Sequence, residues 1–339
     1  MLTEQLLMEK YTPIQPLWAA FSDRLQEDVL LAGYTAARIG GPADVLLEAL
    51  SADDLFGMVS VLWELDLPFV ILGGGSNVLI SDYGVRGVVV MNRARQLRFD
   101  EKESPPHVWA ESGVNFGSIA RRAALRGLAG LEWAAGIPGT LGGAVVGNAG
   151  AHGGDVSQNL IAAEILHRSQ AEQYGLTVRE EWTADKLGFS YRSSALKHTQ
   201  IAGSASPHHD PGAVVLSAGL RLERSTPQAV QDKMDEYAAY RRKTQPPGAS
   251  MGSMFKNPPG DYAGRLIENA GLKGSRIGGA EISTTHANFF VNLGHASASD
   301  VTALIKLAHD TVAGQFGVDL ELEIELMGDF QDPGKKQPG

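Results

Sequence analysis

Residues 136–154 read GIPGTLGGAVVGNAGAHGG, and glycine or alanine fills most of that run. A stretch with so little apolar bulk is expected to build no core of its own. Its backbone can instead take positive φ angles and approach something flat or phosphorylated. Pro138 stiffens the first turn, Thr140 and Asn148 carry the only side-chain hydrogen-bonding groups before His152, and no acid occurs until Asp155. The plain alternative is a tight buried turn between strands.

A second loop of the same kind favours the first reading. Residues 68–72 form a short apolar run that leads straight into Gly73, Gly74, Gly75, Ser76 and Asn77. Two such loops about sixty residues apart suggest backbone N–H groups closing on one pyrophosphate from two sides. The common phosphate motifs are absent. The fifth place after Gly73 is Val78, so G-x-G-x-x-G is not met, and no G-x-x-x-x-G-K-[ST] occurs. A Rossmann dehydrogenase and a P-loop ATPase are both disfavoured.

The bulk numbers narrow the class. The chain has 339 residues, 43% hydrophobic and 20% charged, which suits two domains and excludes a fibrous or disordered class. With 29 basic and 39 acidic residues the net charge is −10, so a nucleic-acid surface is disfavoured and a basic site should be local, aimed at a small anion. The absence of cysteine removes disulfide, thiolate-metal and cysteine-nucleophile chemistry. Glu4 and Glu9 interrupt any signal-peptide core, and no apolar run approaches a membrane span, so the expectation is a cytoplasmic protein without membrane insertion.

Along the chain, residues 1–31 read as an extension with one or two short amphipathic helices. Strands are expected over 44–50, 68–72, 78–80, 87–91, 108–110, 162–167, 173–178 and 213–222. Ser51 caps a helix to about Leu65, and Asn115 or Ser118 opens one to Leu125. Thr226-Pro227 starts a helix to about Lys243, and a domain boundary is placed just before it. Helices over 261–270 and 299–316, an apolar strand over 287–292 and a last strand over 320–327 follow. Residues 201–211 read as an exposed loop and 331–339 as a disordered tail.

The residues at this point resemble a known family. LGGGSNVLI (72–80) and GLEWAAGIPGTLGGAVVGNAGAHGG (130–154) are similar to the UDP-N-acetylenolpyruvoylglucosamine reductases, flavoenzymes of peptidoglycan-precursor synthesis also called UDP-N-acetylmuramate dehydrogenases. The likeness continues through YRSS (191–194), GSMFKNP (252–258), HANF (286–289) and LELE (320–323), in family order. It implies an α+β chain: an FAD-binding domain of the vanillyl-alcohol-oxidase (PCMH) type, made of two α+β subdomains over 32–224, then a smaller α+β substrate domain over 225–330. It also implies non-covalent FAD and NADPH as reductant. The expected protein is a monomer or weak oligomer acting on small molecules alone.

The same resemblance places FAD against Gly73, Gly74, Gly75, Ser76 and Asn77, and against Gly136, Pro138, Gly139, Thr140, Gly143, Asn148, Ala149 and Gly153. In the family reaction hydride reaches the terminal vinyl carbon of an enolpyruvyl sugar nucleotide. Charge then builds beside the carboxylate and must be spread and protonated. Arg192 is implied to grip the carboxylate, Ser253 to protonate the carbanion carbon, and Glu323 to stabilise the enolate as a neutral acid. Because a free hydroxyl is a poor acid, a nearby cation such as Lys256 is expected to assist Ser253. Glu321, Glu323 and Glu325 alternate with apolar residues, so period-2 patterning alone leaves open which of them enters a pocket. The family register selects Glu323. Tyr191, Lys256, Asn257 and His286 match substrate-contacting positions, and Arg241-Arg242-Lys243 offers a basic cluster for the UDP diphosphate.

Each residue has an ordinary reading as well: a solvated arginine, a turn serine, a wet strand face, a charged helix end, a structural histidine. The chain also departs from the family pattern. His152 stands where some members have tyrosine, and residues 201–211 carry no tyrosine to serve as a channel lid. Two competing functions are another oxidase of the same flavin fold, with His152 or His107 as a tether, and a non-catalytic nucleotide-binding module.

Overall fold

The computed structural model describes residues 15–168, 177–197 and 212–330. Helices begin where side chains satisfy the free N–H groups of the first turn. Ser51 Oγ accepts from Asp54 N at 3.1 Å and Asp54 Oδ2 accepts from Leu50 N at 2.8 Å, opening the helix Ala52–Glu64. Thr226 accepts from Ala229 N at 3.2 Å with Pro227 at the first helical place, opening Pro227–Thr244. Ser297 and Asp300 form a full capping box, so the last helix runs Ala298–Phe316 and starts a little before the expected Ser299.

These elements sort into three units. The first has a four-stranded sheet in the order Leu25–Leu30, Pro42–Ala49, Val85–Asn92, Phe69–Leu72, with the last three parallel. Helix Ala52–Glu64 covers one face through Leu55, Met58, Val59 and Leu62. The second has a five-stranded antiparallel sheet in the order Thr177–Thr183, Leu160–Arg168, Ala213–Arg221, His107–Glu111, Leu97–Asp100. The helices Phe116–Ala124 and Leu141–Val146 pack into its core. The third has a four-stranded antiparallel sheet, Ala249–Ser253, Phe289–Asn292, Ala280–Ile282, Arg276–Ile277, covered by Ala263–Asn269 and Ala298–Phe316.

Several expectations are corrected. The stretch 136–154 does contribute to a core: Leu141–Val146 is helical, and Leu141, Ala144 and Val145 are buried in the second unit. Sparse apolar bulk suffices because it is concentrated on one face of a single turn and a half. Residues 25–30 are an edge strand of the first sheet rather than part of an extension. Helix Pro227–Thr244 packs by Val230 and Met234 against Ala124 of the second unit, so the chain enters the third unit only after Thr244. Only Glu325–Met327 of the expected strand 320–327 is strand, and it pairs in parallel with Val78–Ile80 of the first unit. The strand expected over 173–178 lies mostly outside the described residues, as do the loop 201–211, the tail 331–339 and residues 1–14.

That last pairing joins the third unit to the first. Asp82 accepts from Ala298 N at 2.6 Å and Ser299 N at 2.8 Å, capping the final helix from across the junction. Asn292 Nδ2 donates to Ala37 O at 2.9 Å, and Ser81 N to Met327 O at 2.9 Å. The three units therefore enclose one cleft.

Candidate active site

The two glycine loops meet directly. A Cβ built on Gly74 would lie 2.8 Å from Gly139 Cα, and one on Gly73 would lie 2.5 Å from Thr140 Oγ1. No side chain fits between them, which is why both loops are bare. Gly139 has φ 104°, a conformation that side chains rarely adopt. Among the described residues, none of the N–H groups from Gly73 to Asn77 donates to a protein acceptor. Five successive free donors suit an anion such as a diphosphate. At Gly143 an added Cβ would have only Thr140 Oγ1, 3.8 Å away, so the backbone there faces open space.

Both loops line a cleft of about 770 Å³ between the units. Its walls include Gly73 to Asn77, Pro138, Gly139, Thr140, Gly143 and Ala149, all expected from the sequence, and also Arg192, Ser253 and Glu323. The cleft thus brings together residues from all three units.

Arg192 has φ 56°, a left-handed conformation that costs a non-glycine residue on the order of 1–2 kcal/mol. The turn is held by exchanged backbone bonds between Ser190 and Ser193. One guanidinium NH2 group donates to Gly150 O at 2.9 Å, and Nε lies 2.8 Å from Glu323 Oε1. This second contact is an ion pair without aligned hydrogen-bond geometry, and it leaves the buried Nε–H with no aimed acceptor. Burial pushes the Glu323 carboxyl above its ordinary range, while the charges of Arg192, Lys197 and Lys256 pull it back. Ser253 ends the strand Ala249–Ser253 beyond a bulge at Gly252, whose φ is 81°. Its hydroxyl has no protein partner among the described residues, which leaves it free to face the cleft.

Other expected residues do different work. Gly136 is off the cleft, and a Cβ there would sit 2.8 Å from Arg241 Cδ, so the glycine makes room for that arginine. Asn148 is buried, donating to Ser190 O and accepting from Ser157 N, and thereby braces the turn that carries Arg192. Gly153 accepts from the Gln158 side chain outside the cleft wall. Tyr191 is exposed, with the Arg192 guanidinium 5.6 Å from its ring centre. Lys256 is paired with Glu321, with no contact to Ser253. Asn257 Oδ1 accepts from Ala263 N at the start of a helix. His286 accepts from Asn288 N and packs on Phe289, and burial lowers its pKa.

The sequence reading missed Asn92, Lys197, Tyr240 and Gln245 on the wall, and gave Arg241 only as part of a cluster. Position at the end of the helix preceding the GSMFKNP block was the available signal for Tyr240 to Gln245. Lys197 carried none; it lines the cleft, where its Nζ donates to Glu325 at 2.7 Å. His152 lines the cleft with its ring stacked on Tyr237 at 4.1 Å, whereas His107 lies on the separate groove of the second sheet.

Comparison with known proteins decides the family. Residues 243–327 match the family described as UDP-N-acetylenolpyruvoylglucosamine reductase, C-terminal domain, and residues 43–170 match an FAD binding domain. The chain is 42% identical to the UDP-N-acetylenolpyruvoylglucosamine reductase of Chloroflexus aggregans, over 88% of this chain and 95% of that protein. The chain belongs to the UDP-N-acetylenolpyruvoylglucosamine reductase family. The reductase of Rubrobacter xylanophilus is 43% identical over 89% of this chain and 95% of its own. The crystal structure of the Thermus caldophilus reductase superposes with a TM-score of 0.72 at 35% identity, covering 90% of this chain and 99% of that one. The expected fold, an FAD-binding domain followed by a smaller α+β domain, therefore holds, and the chain is an FAD-dependent oxidoreductase. The free N–H run and the bare, open backbone of the cleft fit that cofactor. Among the described residues no helix is long and apolar enough to cross a membrane.

Proposed function

We propose that the chain reduces UDP-N-acetyl-3-O-enolpyruvylglucosamine to UDP-N-acetylmuramate with NADPH as reductant, a step in making peptidoglycan precursor. The observation that carries this reading is the Arg192–Glu323 contact at 2.8 Å in the cleft that also holds the Ser253 hydroxyl, which has no partner among the described residues. The flavin, when bound, supplies the hydride, having accepted it from NADPH. Gly73 to Asn77, Pro138, Gly139, Thr140, Gly143 and Ala149 would hold it.

The chain's own residues supply the rest. Reduction of the vinyl group adds hydrogen to its terminal carbon and develops negative charge on the carbon that bears the carboxylate. The Arg192 guanidinium, held from one side by Gly150 O and paired through Nε with Glu323, brings to the cleft the positive charge that attracts that carboxylate. A charge-assisted bond between the two is worth about 1.5–3 kcal/mol. Glu323, whose pKa burial raises from its ordinary value, stands beside Arg192 where, carrying a proton, it would donate a hydrogen bond to the developing enolate. Ser253 gives its proton to the carbon and regains one from solvent. The Lys256 ammonium pairs with Glu321.

On this reading the protein works in the cytoplasm, where nucleotide-activated sugars and NADPH are found, as a monomer or weak oligomer. The test is anaerobic. Protein bleached with NADPH regains its oxidised flavin spectrum when the enolpyruvyl sugar nucleotide is added, and UDP-N-acetylmuramate forms in equal amount. Flavin that stays reduced overturns the proposal.

A further inference from the structure

We propose that Asn77 is a positioning residue that ties the state of the cofactor loop to the aim of Glu323. Asn77 closes the bare loop Gly73 to Asn77, and the strand Val78–Ile80 follows at once. Its side-chain Nδ2 donates to Glu323 O at 3.1 Å, while its own carbonyl accepts from Glu325 N at 2.9 Å. One residue therefore grips the main chain on both sides of Ile324. From the opposite side Glu323 N donates to Met254 O at 2.9 Å, next to Ser253. Both peptide groups flanking the Glu323 side chain are thus held, one by the residue after the proton donor and the other by the cofactor loop.

The arrangement has a direction. The N–H groups of Gly73 to Asn77 have no acceptor within the described protein, so an anion held there orders the loop that carries Asn77. Ordering Asn77 fixes the carbonyl of Glu323 and the amide of Glu325, and with them the carboxylate that meets Arg192. Coupling of this kind is reciprocal in binding free energy. The inference rests on the reductase reading for the role of Glu323, but the coupling itself is open to measurement without turnover.

The deciding experiment is hydrogen exchange of the backbone over residues 320–327, with and without added FAD. In the wild-type chain FAD slows exchange at Glu323 and Glu325 by about tenfold. In Asn77→Ala the FAD-dependent protection of Glu323 falls to about twofold or less, because the side-chain donor to Glu323 O is gone, while Glu325 N keeps its bond to the main-chain carbonyl of residue 77. Asn77→Asp, which keeps the volume and loses the donor, behaves as the alanine variant does. Equal FAD-dependent protection in wild type and variants overturns the proposal. So does wild-type exchange that ignores FAD, a measurement that needs no variant to fold.

A kinetic readout separates positioning from general damage. Asn77→Asp slows flavin reoxidation by the enolpyruvyl substrate about tenfold more than it slows reduction by NADPH, and displaces the pH profile of reoxidation. Equal slowing of both halves contradicts positioning. If the wild type itself fails to be reoxidised, the reductase reading falls while the exchange result still stands or fails on its own.

Discussion

Arg192 Nε stands 2.8 Å from Glu323 Oε1, joining the second folding unit to the segment that crosses from the third unit back to the first. The guanidinium is held from behind by Gly150 O at 2.9 Å, inside the same glycine-rich stretch that lines the cleft. A cation fixed this way needs no reorganisation when negative charge develops in front of it.

Arg192→Ala should therefore slow flavin reoxidation by the enolpyruvyl substrate by about 10²–10³-fold. Arg192→Lys should recover little of this, because an ammonium cannot reproduce the planar fork that Gly150 and Glu323 share. Stopped-flow absorbance of pre-reduced protein reads both. Near-parental rates in the alanine variant would remove Arg192 from the chemistry.

Glu323 gives a pH prediction with a definite sign. Burial raises its folded pKa above the ordinary 4.5. The stability linked to its neutral form is fully present below that unfolded value and is lost as pH rises through the raised folded value. Denaturant midpoints of the wild type should thus fall relative to Glu323→Gln across that window and run parallel above it. Reoxidation in the wild type should decline over the same window, whereas the slower glutamine variant should be flat. Curves that stay parallel throughout would mean that Glu323 does not titrate there.

Ser253→Ala should lower reoxidation by about 10²–10⁴-fold, the range of a lost general acid. Gly252 and the bulge fix the backbone here without help from the hydroxyl, so the melting temperature should hardly move. A fast Ser253→Ala enzyme would mean that water or another group donates the proton.

The loop contact is testable by a single methyl group. Gly74→Ala places a Cβ 2.8 Å from Gly139 Cα, and backbone cannot move aside cheaply. The expected cost is about 1–3 kcal/mol of stability, with weaker FAD retention on gel filtration. Gly143→Ala, which meets nothing closer than 3.8 Å in the protein, should keep stability and lose FAD.

Asp82→Ala removes the cap that the first unit supplies to helix Ala298–Phe316. A cost of about 1 kcal/mol is expected in chemical denaturation. Unchanged stability would show that the other junction contacts, the pairing of Val78–Ile80 with Glu325–Met327 among them, hold it without the cap.

The amino-acid sequence on its own determined the helix starts, because Ser51, Thr226 and the Ser297–Asp300 pair act on neighbours three residues away. It also determined the two bare loops, since only glycine tolerates such an approach, and the motif order that carries the family. What tertiary structure decided is where chain-distant groups meet. Period-2 spacing in residues 320–327 assumes one strand, but the chain takes only a bridge at Leu322 before pairing with the first unit, and that break turns Glu323 inward while Glu321 and Glu325 stay exposed. Lys256 adjoins Ser253 in sequence yet is drawn to Glu321, and His286 is consumed by its own turn. Local rules reach only a few residues along the chain, whereas the direction in which a side chain finally points depends on partners that only folding brings within range.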